Sequence, residues 1–227
     1  STTIGGLSYG AESPESMKLT IDQYISPLLI GEDATNIHAL KHKINQNVQH
    51  NTFAKAGIET ALLDAQGKRL GVSVSTLLGG AVNRELSVLW TLASGDTEKD
   101  INEAKQLIAE NRHDTFKLKI GRKDPKIDVA HVSNIKKALG EDIKITVDIN
   151  QAWDEYTAKK WIKVLQENGI DLIEQPIVKT NFEGLARLTD HCEVPIMADE
   201  ACATISDAMK LCKLRVGSVF AVEIMKT

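Results

Sequence analysis

The sequence predicts an α/β chain: part of a (β/α) barrel, about six of eight strands, preceded by a mostly helical N-terminal region. Three observations carry this expectation. From residue 86 onward, short apolar or β-branched runs alternate with amphipathic stretches at nearly constant spacing, as the strands and helices of βα units do. Six such runs follow one another without a break, which favours a barrel over an open doubly wound sheet. No glycine-rich phosphate loop follows the first run, where an open nucleotide-binding sheet would carry one. The expected division is therefore 1–85 and 86–227.

Taken in order, residues from about Pro14 to Leu78 read as helical. In "NTFAKAGIETALLDAQGK" the apolar positions 54, 58, 61, 62 and 65 share one helix face, with Asn51 or Thr52 as N-cap and Gly67 as the stop. "LLGGAVNREL" reads as a linker. The strands are expected in "SVLWTLA" (87–93), "TFKLKI" (115–120), "KITVDI" (144–149), "DLIEQP" (171–176), "VPIMADE" (194–200) and "SVFAVEI" (218–224). Segments between them, such as "DEYTAKKWIKVLQENG", carry helical periodicity. "GGLSYG" lacks the strand-then-helix context of a nucleotide motif.

Bulk properties exclude several classes. The net charge of −4 is spread over interspersed signs with no basic block, which argues against nucleic acid. No apolar run approaches the ~20 residues of a membrane span, and the N-terminus has no signal layout. Cys192, Cys202 and Cys212 fall in no metal-ligand spacing and read as reduced thiols of a cytosolic protein. The six histidines are scattered, with no HExxH, which disfavours zinc. The glycine-rich opening "STTIGGLSYG", without methionine, reads as the continuation of a longer chain. An unclosed barrel would leave edge strands and helix faces exposed, so the expectation for this polypeptide alone is aggregation or a molten state.

Charges at the strand ends suggest chemistry. Residues at the C-terminal strand ends of a (β/α) barrel line its active site. Lys119, Asp148, Glu174, Asp199 and Glu223 are expected there, on five successive strands, at intervals of 29, 26, 25 and 24 residues. Each acid alone reads better as a solvated loop residue or a helix cap. Three acids in register, Asp148, Glu174 and Asp199, would repel one another strongly in a confined pocket unless a cation joined them. An all-oxygen set suits Mg²⁺ or Mn²⁺. Lys117 and Lys119 lie two apart on one strand and so share a face. Such a cation can stabilise the enolate left when an α-proton leaves a carboxylate, and a lysine can move that proton. Lys119, nearer the strand end, is the proton-transfer candidate. Lys117 would tune it or contact a substrate carboxylate.

At this point "FKLKIG", "VDINQAWD", "GIDLIEQP" and "PIMADE" resemble the lysine and metal-ligand motifs of the enolase superfamily, muconate lactonizing enzyme subgroup. "TTIGGLSYGAESPES", "NTFAKAGIETALLDAQGKRLG" and "WTLASGDT" extend the likeness over nearly the whole chain. The resemblance implies an α+β capping domain over a modified TIM-type (β/α) barrel. It implies interconversion of cis,cis-muconate and muconolactone with Mn²⁺ or Mg²⁺ in bacterial catechol catabolism, a small dicarboxylate substrate and a homo-oligomer. It also implies Lys119 as the proton-transfer lysine with Lys117 as partner, Asp148, Glu174 and Asp199 as metal ligands, and Asn150 as a pocket residue. There are two departures. The family pattern "FALKIAK" is here "FAVEIMK", so Glu223 stands in the pocket where a lysine is expected. Lys226 would point away from it by strand alternation, and the added negative charge is expected to weaken binding and turnover. Second, the chain stops before the barrel would close. The alternatives are chloromuconate cycloisomerase, dipeptide epimerase or succinylbenzoate synthase chemistry on the same scaffold, or a catalytically inactive fragment.

Overall fold

In the computed structural model, which describes residues 12–226, the first helix starts at a reciprocal cap. Ser13 Oγ accepts from the Ser16 N–H, and Ser16 Oγ accepts from the Ser13 N–H, just ahead of Pro14. Helix α1 (Pro14–Thr20) continues through a π turn (Ile21–Ile25) into α2 (Ser26–Leu29). Helices α3 (Ile37–Asn47), α4 (Thr52–Leu70) and α5 (Val74–Leu77) follow, around a core of Met17, Ile25, Ile44, Val48 and Ala54. The opening "STTIGGLSYG" lies outside the described residues.

Helix α4 corrects the sequence reading in three ways. It does not stop at Gly67 but runs to Leu70, and Gly71, at φ +69°, supplies the left-handed residue that ends it. Gly67 is buried within the helix, where a Cβ would meet the Val72 carbonyl oxygen at 2.8 Å. The buried face is Ala54, Ala56 and Gly67, with Ile58 half-buried, whereas Ala61 and Ala65 are exposed. Those two alanines add little apolar area, so the larger Phe53 and Ile58 set which side packs. The capping group is also different. Asn51 occupies the N-cap position, but its side chain makes no capping bond. The Glu12 carboxylate caps instead, accepting from Phe53 N at 2.8 Å and Ala54 N at 3.1 Å. Glu12→Ala is expected to lower stability by about 1–2 kcal/mol, read by chemical denaturation, because it strips an anion and two bonds from a helix N-terminus.

Residues 80–89 have no regular structure. Beyond them β1 (Trp90–Leu92), α6 (Thr97–Ala109), β2 (Thr115–Lys119), α7 (Pro125–Leu139), β3 (Lys144–Asp148), α8 (Glu155–Glu167), β4 (Leu172–Glu174), α9 (Phe182–His191), β5 (Ile196–Ala198), α10 (Ile205–Leu214) and β6 (Val219–Phe220) alternate. The six strands pair in parallel in chain order, and among the described residues the sheet is not closed. Each helix begins on a side-chain cap, from Asp96, Asp124, Asp154, Asn181 and Thr204 in turn. One strand face packs Phe116, Leu118, Ile145, Val147 and Ile173 into a single core with the helices. Polar residues such as Lys117 and Lys119 occupy the alternate positions, which the pleat turns to the other face. The described residues divide into two compact units, one ending at Glu85 and rejoined by the segment from Glu223, the other Leu86–Val222.

Candidate active site

The strand ladder sets the site. Lys119 pairs across the sheet with Asp148, and Asp148 with Glu174. All three thus stand on one level at the ends of adjacent strands. Glu174 pairs next with Met197, so Asp199 lies two residues beyond that level, just past β5, on the same side of the pleat. Glu223 does not end a strand. Met197 pairs with Val219, and β6 stops at Phe220, so Glu223 falls in the segment after the ladder has run out. There the backbone turns, Lys226 N bonds the Glu223 carbonyl, and Lys226 Nζ lies 3.3 Å from the Glu223 carboxylate. Strand alternation therefore does not apply between these two, and they form an ion pair.

Within the site the charges interlock. Lys117 Nζ donates to Glu174 Oε1 at 2.7 Å, lies 2.6 Å from Oε2, and is 3.7 Å from Asp148 Oδ2. Lys119 Nζ, on a side chain 35% exposed, is 3.4 Å from Asp148 Oδ2 and donates to Asn150 Oδ1 at 3.3 Å. Asp148 and Glu174 are almost wholly buried. Burial first, then the Asp148 charge, push the Glu174 carboxyl up to about 7, against the pull of Lys117, and Asp199 adds to the rise. Burial likewise raises Glu200, with Asp199 contributing.

The loop after each strand is built around these groups. Gly121, two residues after Lys119, has φ +100°, and a Cβ there would lie 2.5 Å from the Ala152 Cβ. Asp128, buried in α7, accepts from Gly121 N at 2.8 Å and so ties down the loop that leaves β2. Asn150, Gln151 and Gln175 all have positive φ, at 44°, 68° and 36°. Non-glycine residues held there cost of order 1 kcal/mol or more each and cluster at functional sites. Asn150, expected as a pocket residue, bonds both Lys119 and Glu200. Sequence reasoning passed over Gln151, Glu200 and Gln175. Glu200 Oε1 accepts from Asn150 and Gln151, and Gln175 is fully buried. The available signal was position: Gln175 and Glu200 each directly follow a candidate ligand. A cavity of about 190 Å³ in the first unit, lined by Ile37, Ile44, Ile58 and Leu62 among others, contains none of these groups.

Two family models match the chain. Residues 99–227 match the family model "Enolase C-terminal domain-like", and residues 1–79 match "Mandelate racemase / muconate lactonizing enzyme, N-terminal domain". The chain belongs to the mandelate racemase/muconate lactonizing enzyme family of the enolase superfamily. Among members of this family, muconate cycloisomerase 1 of Pseudomonas putida is 52% identical over 99% of this chain and 60% of its own length. A chloromuconate cycloisomerase of Cupriavidus necator is 41% identical over 98% of this chain and 60% of its own. The crystal structure of muconate lactonizing enzyme from Pseudomonas fluorescens complexed with muconolactone superposes with a TM-score of 0.98 at 55% identity, covering 100% of this chain and 61% of that one. The chain thus spans about 60% of the length of the relatives it matches. The fold of the family, an α/β barrel of which six parallel strands are present here, bears out the expected architecture.

The residues present fit a divalent ion. Among the described residues no three His, Cys, Asp or Glu side chains form a ready-made cage. Buried carboxylates nevertheless stand side by side there, Asp148 next to Glu174 across the ladder. Glu200 Oε2 is buried without a hydrogen-bond partner, and the positive charge beside Asp148 and Glu174 comes from the two lysines. An all-oxygen donor set of this kind suits a hard cation.

Proposed function

We propose that the protein carrying this chain is a divalent-metal-dependent cycloisomerase that interconverts cis,cis-muconate and muconolactone. The observation that carries this reading is the shared level of Lys119, Asp148 and Glu174 on three adjacent strands, in a chain so similar to a structure complexed with muconolactone. Higher identity to muconate than to chloromuconate cycloisomerases supports muconate as the substrate. Asp148, Glu174 and Asp199 would hold Mn²⁺ or Mg²⁺, and the bound ion would supply positive charge to a substrate carboxylate and its enolate. The cytoplasm, where thiols such as the free Cys192, Cys202 and Cys212 stay reduced, is the assigned compartment, and the whole protein is taken to be a homo-oligomer.

The chain's own residues then have definite tasks. One substrate carboxylate oxygen bonds to the carbon β to the other carboxylate, and the displaced electron pair moves to the α-carbon as an enolate. Lys119 Nζ, at the strand end and held by Asn150 and Asp148, delivers its proton to that α-carbon, and takes it back in the reverse direction. Lys117, deeper and paired with Glu174, keeps a positive charge beside the buried acids. Asn150 braces the Lys119 ammonium from the loop side, and its own amide is held by Glu200.

The test follows loss of the conjugated diene's ultraviolet absorbance on incubation with muconate. Absorbance is expected to fall with Mn²⁺ present and to stop falling after chelation. An unchanged spectrum with Mn²⁺, or turnover indifferent to chelation, would overturn the reading.

A further inference from the structure

Gln175 joins the ends of three strands. Its side chain is fully buried, and its backbone takes a left-handed turn at φ +36° directly after Glu174. Its backbone N–H donates to the Met197 carbonyl on β5, and its carbonyl accepts from Gln151 N in the loop after β3. Its side-chain Nε2 donates to the Ile177 carbonyl at 3.0 Å. Its Oε1 accepts two backbone donors beyond β5, Asp199 N at 2.9 Å and Ala201 N at 3.0 Å. The β4–β5 ladder itself has only two residue pairs, so these side-chain bonds continue the pairing where regular strand has ended. The strands concerned, β3, β4 and β5, are the three that carry Asp148, Glu174 and Asp199.

We infer that Gln175 is a positioning residue for the metal site: through Oε1 it fixes the backbone at Asp199 so that this carboxylate faces Asp148 and Glu174. The inference rests on the proposed assignment of those three acids as ligands. It differs from a general contribution to folding, and the molecule provides its own control. Gln166, at the opposite end of β5, makes a similar pair of bonds, its Oε1 accepting from Glu193 N at 2.8 Å and Val194 N at 3.1 Å. No candidate ligand lies at that end.

The experiment measures Mn²⁺ affinity by electron paramagnetic resonance on the wild type, Gln175→Met and Gln166→Met, with thermal unfolding alongside. Both variants are expected to melt earlier. Only Gln175→Met is expected to weaken Mn²⁺ binding, by about 10- to 100-fold, the usual loss when a group supporting a ligand is removed. Equal Mn²⁺ affinity in wild type and Gln175→Met, or equal weakening in both variants, overturns the inference. Absence of Mn²⁺ binding by the wild type removes the metal assignment and the inference with it. If Gln175→Met does not fold, Gln175→Asn is decisive. Its amide falls one methylene short of Asp199 N, so weaker Mn²⁺ binding in the folded variant supports the inference and unchanged binding overturns it.

Discussion

Lys119→Ala is expected to lower muconate turnover by about 10²- to 10⁴-fold, the range that a positioned proton donor contributes. The fold should survive the change. The Lys119 side chain is 35% exposed, and its ion pair with Asp148 is partly screened, so its loss removes little stability. Asp148 also keeps Lys117 at 3.7 Å. Lys117→Ala is the informative contrast. That ammonium is the closest cation to the buried Glu174, and removing it should disturb melting and Mn²⁺ binding together. Steady-state turnover and melting temperature on both variants separate the roles. Arginine at 119 should not rescue activity, because a guanidinium does not give up its proton. Retention of wild-type turnover by a folded Lys119→Ala protein would remove this lysine from the chemistry.

How much of this was legible depended on which rule each residue obeyed. Alternation in "TFKLK" marked β2, and Phe116 and Leu118 are indeed its buried side. Apolar runs marked all six strands but overstated their length. "SVFAVEI" yields only Val219–Phe220, because a strand lasts only as long as its neighbour's ladder. Counting one βα unit per interval placed Lys119, Asp148 and Glu174 correctly on one level. It slipped further on, since the level of Glu174 continues at Met197 and Val219 and not at Asp199 and Glu223. A displacement of two residues leaves Asp199 on the right side of the pleat. A displacement of four carries Glu223 out of the strand. Gln175 and Glu200 were marked only by following a candidate ligand, and their roles were not legible for a different reason. These partners are backbone groups and an amide in the loops after other strands, and local pattern carries no record of them.

Glu174 is expected to contribute stability to the metal-free protein that is lost as pH rises from about 4.5 to above 7. Its carboxyl is pushed up to about 7 in the folded state, chiefly by burial, whereas in the unfolded chain it returns to the ordinary glutamate range near 4.5. The folded state therefore holds a proton that the unfolded state has released, and stability declines with pH wherever the native state binds more protons. The contribution is fully present below the unfolded value and is lost as pH passes through the folded one. A gap of this size corresponds to about 3 kcal/mol. Glu174→Gln imitates the protonated group at every pH, so its metal-free form should lack this component of the pH slope and be the more stable form at pH 8. Denaturant midpoints from pH 5 to 8.5 on both proteins check this, and parallel curves would show that Glu174 does not carry the effect. Saturating Mn²⁺ should reverse the order at pH 8, because a ligand must be ionised to bind and the glutamine cannot supply the charge. The burial that makes an ionised Glu174 costly in the metal-free protein is then offset by the charge of the bound ion, beyond what Lys117 supplies.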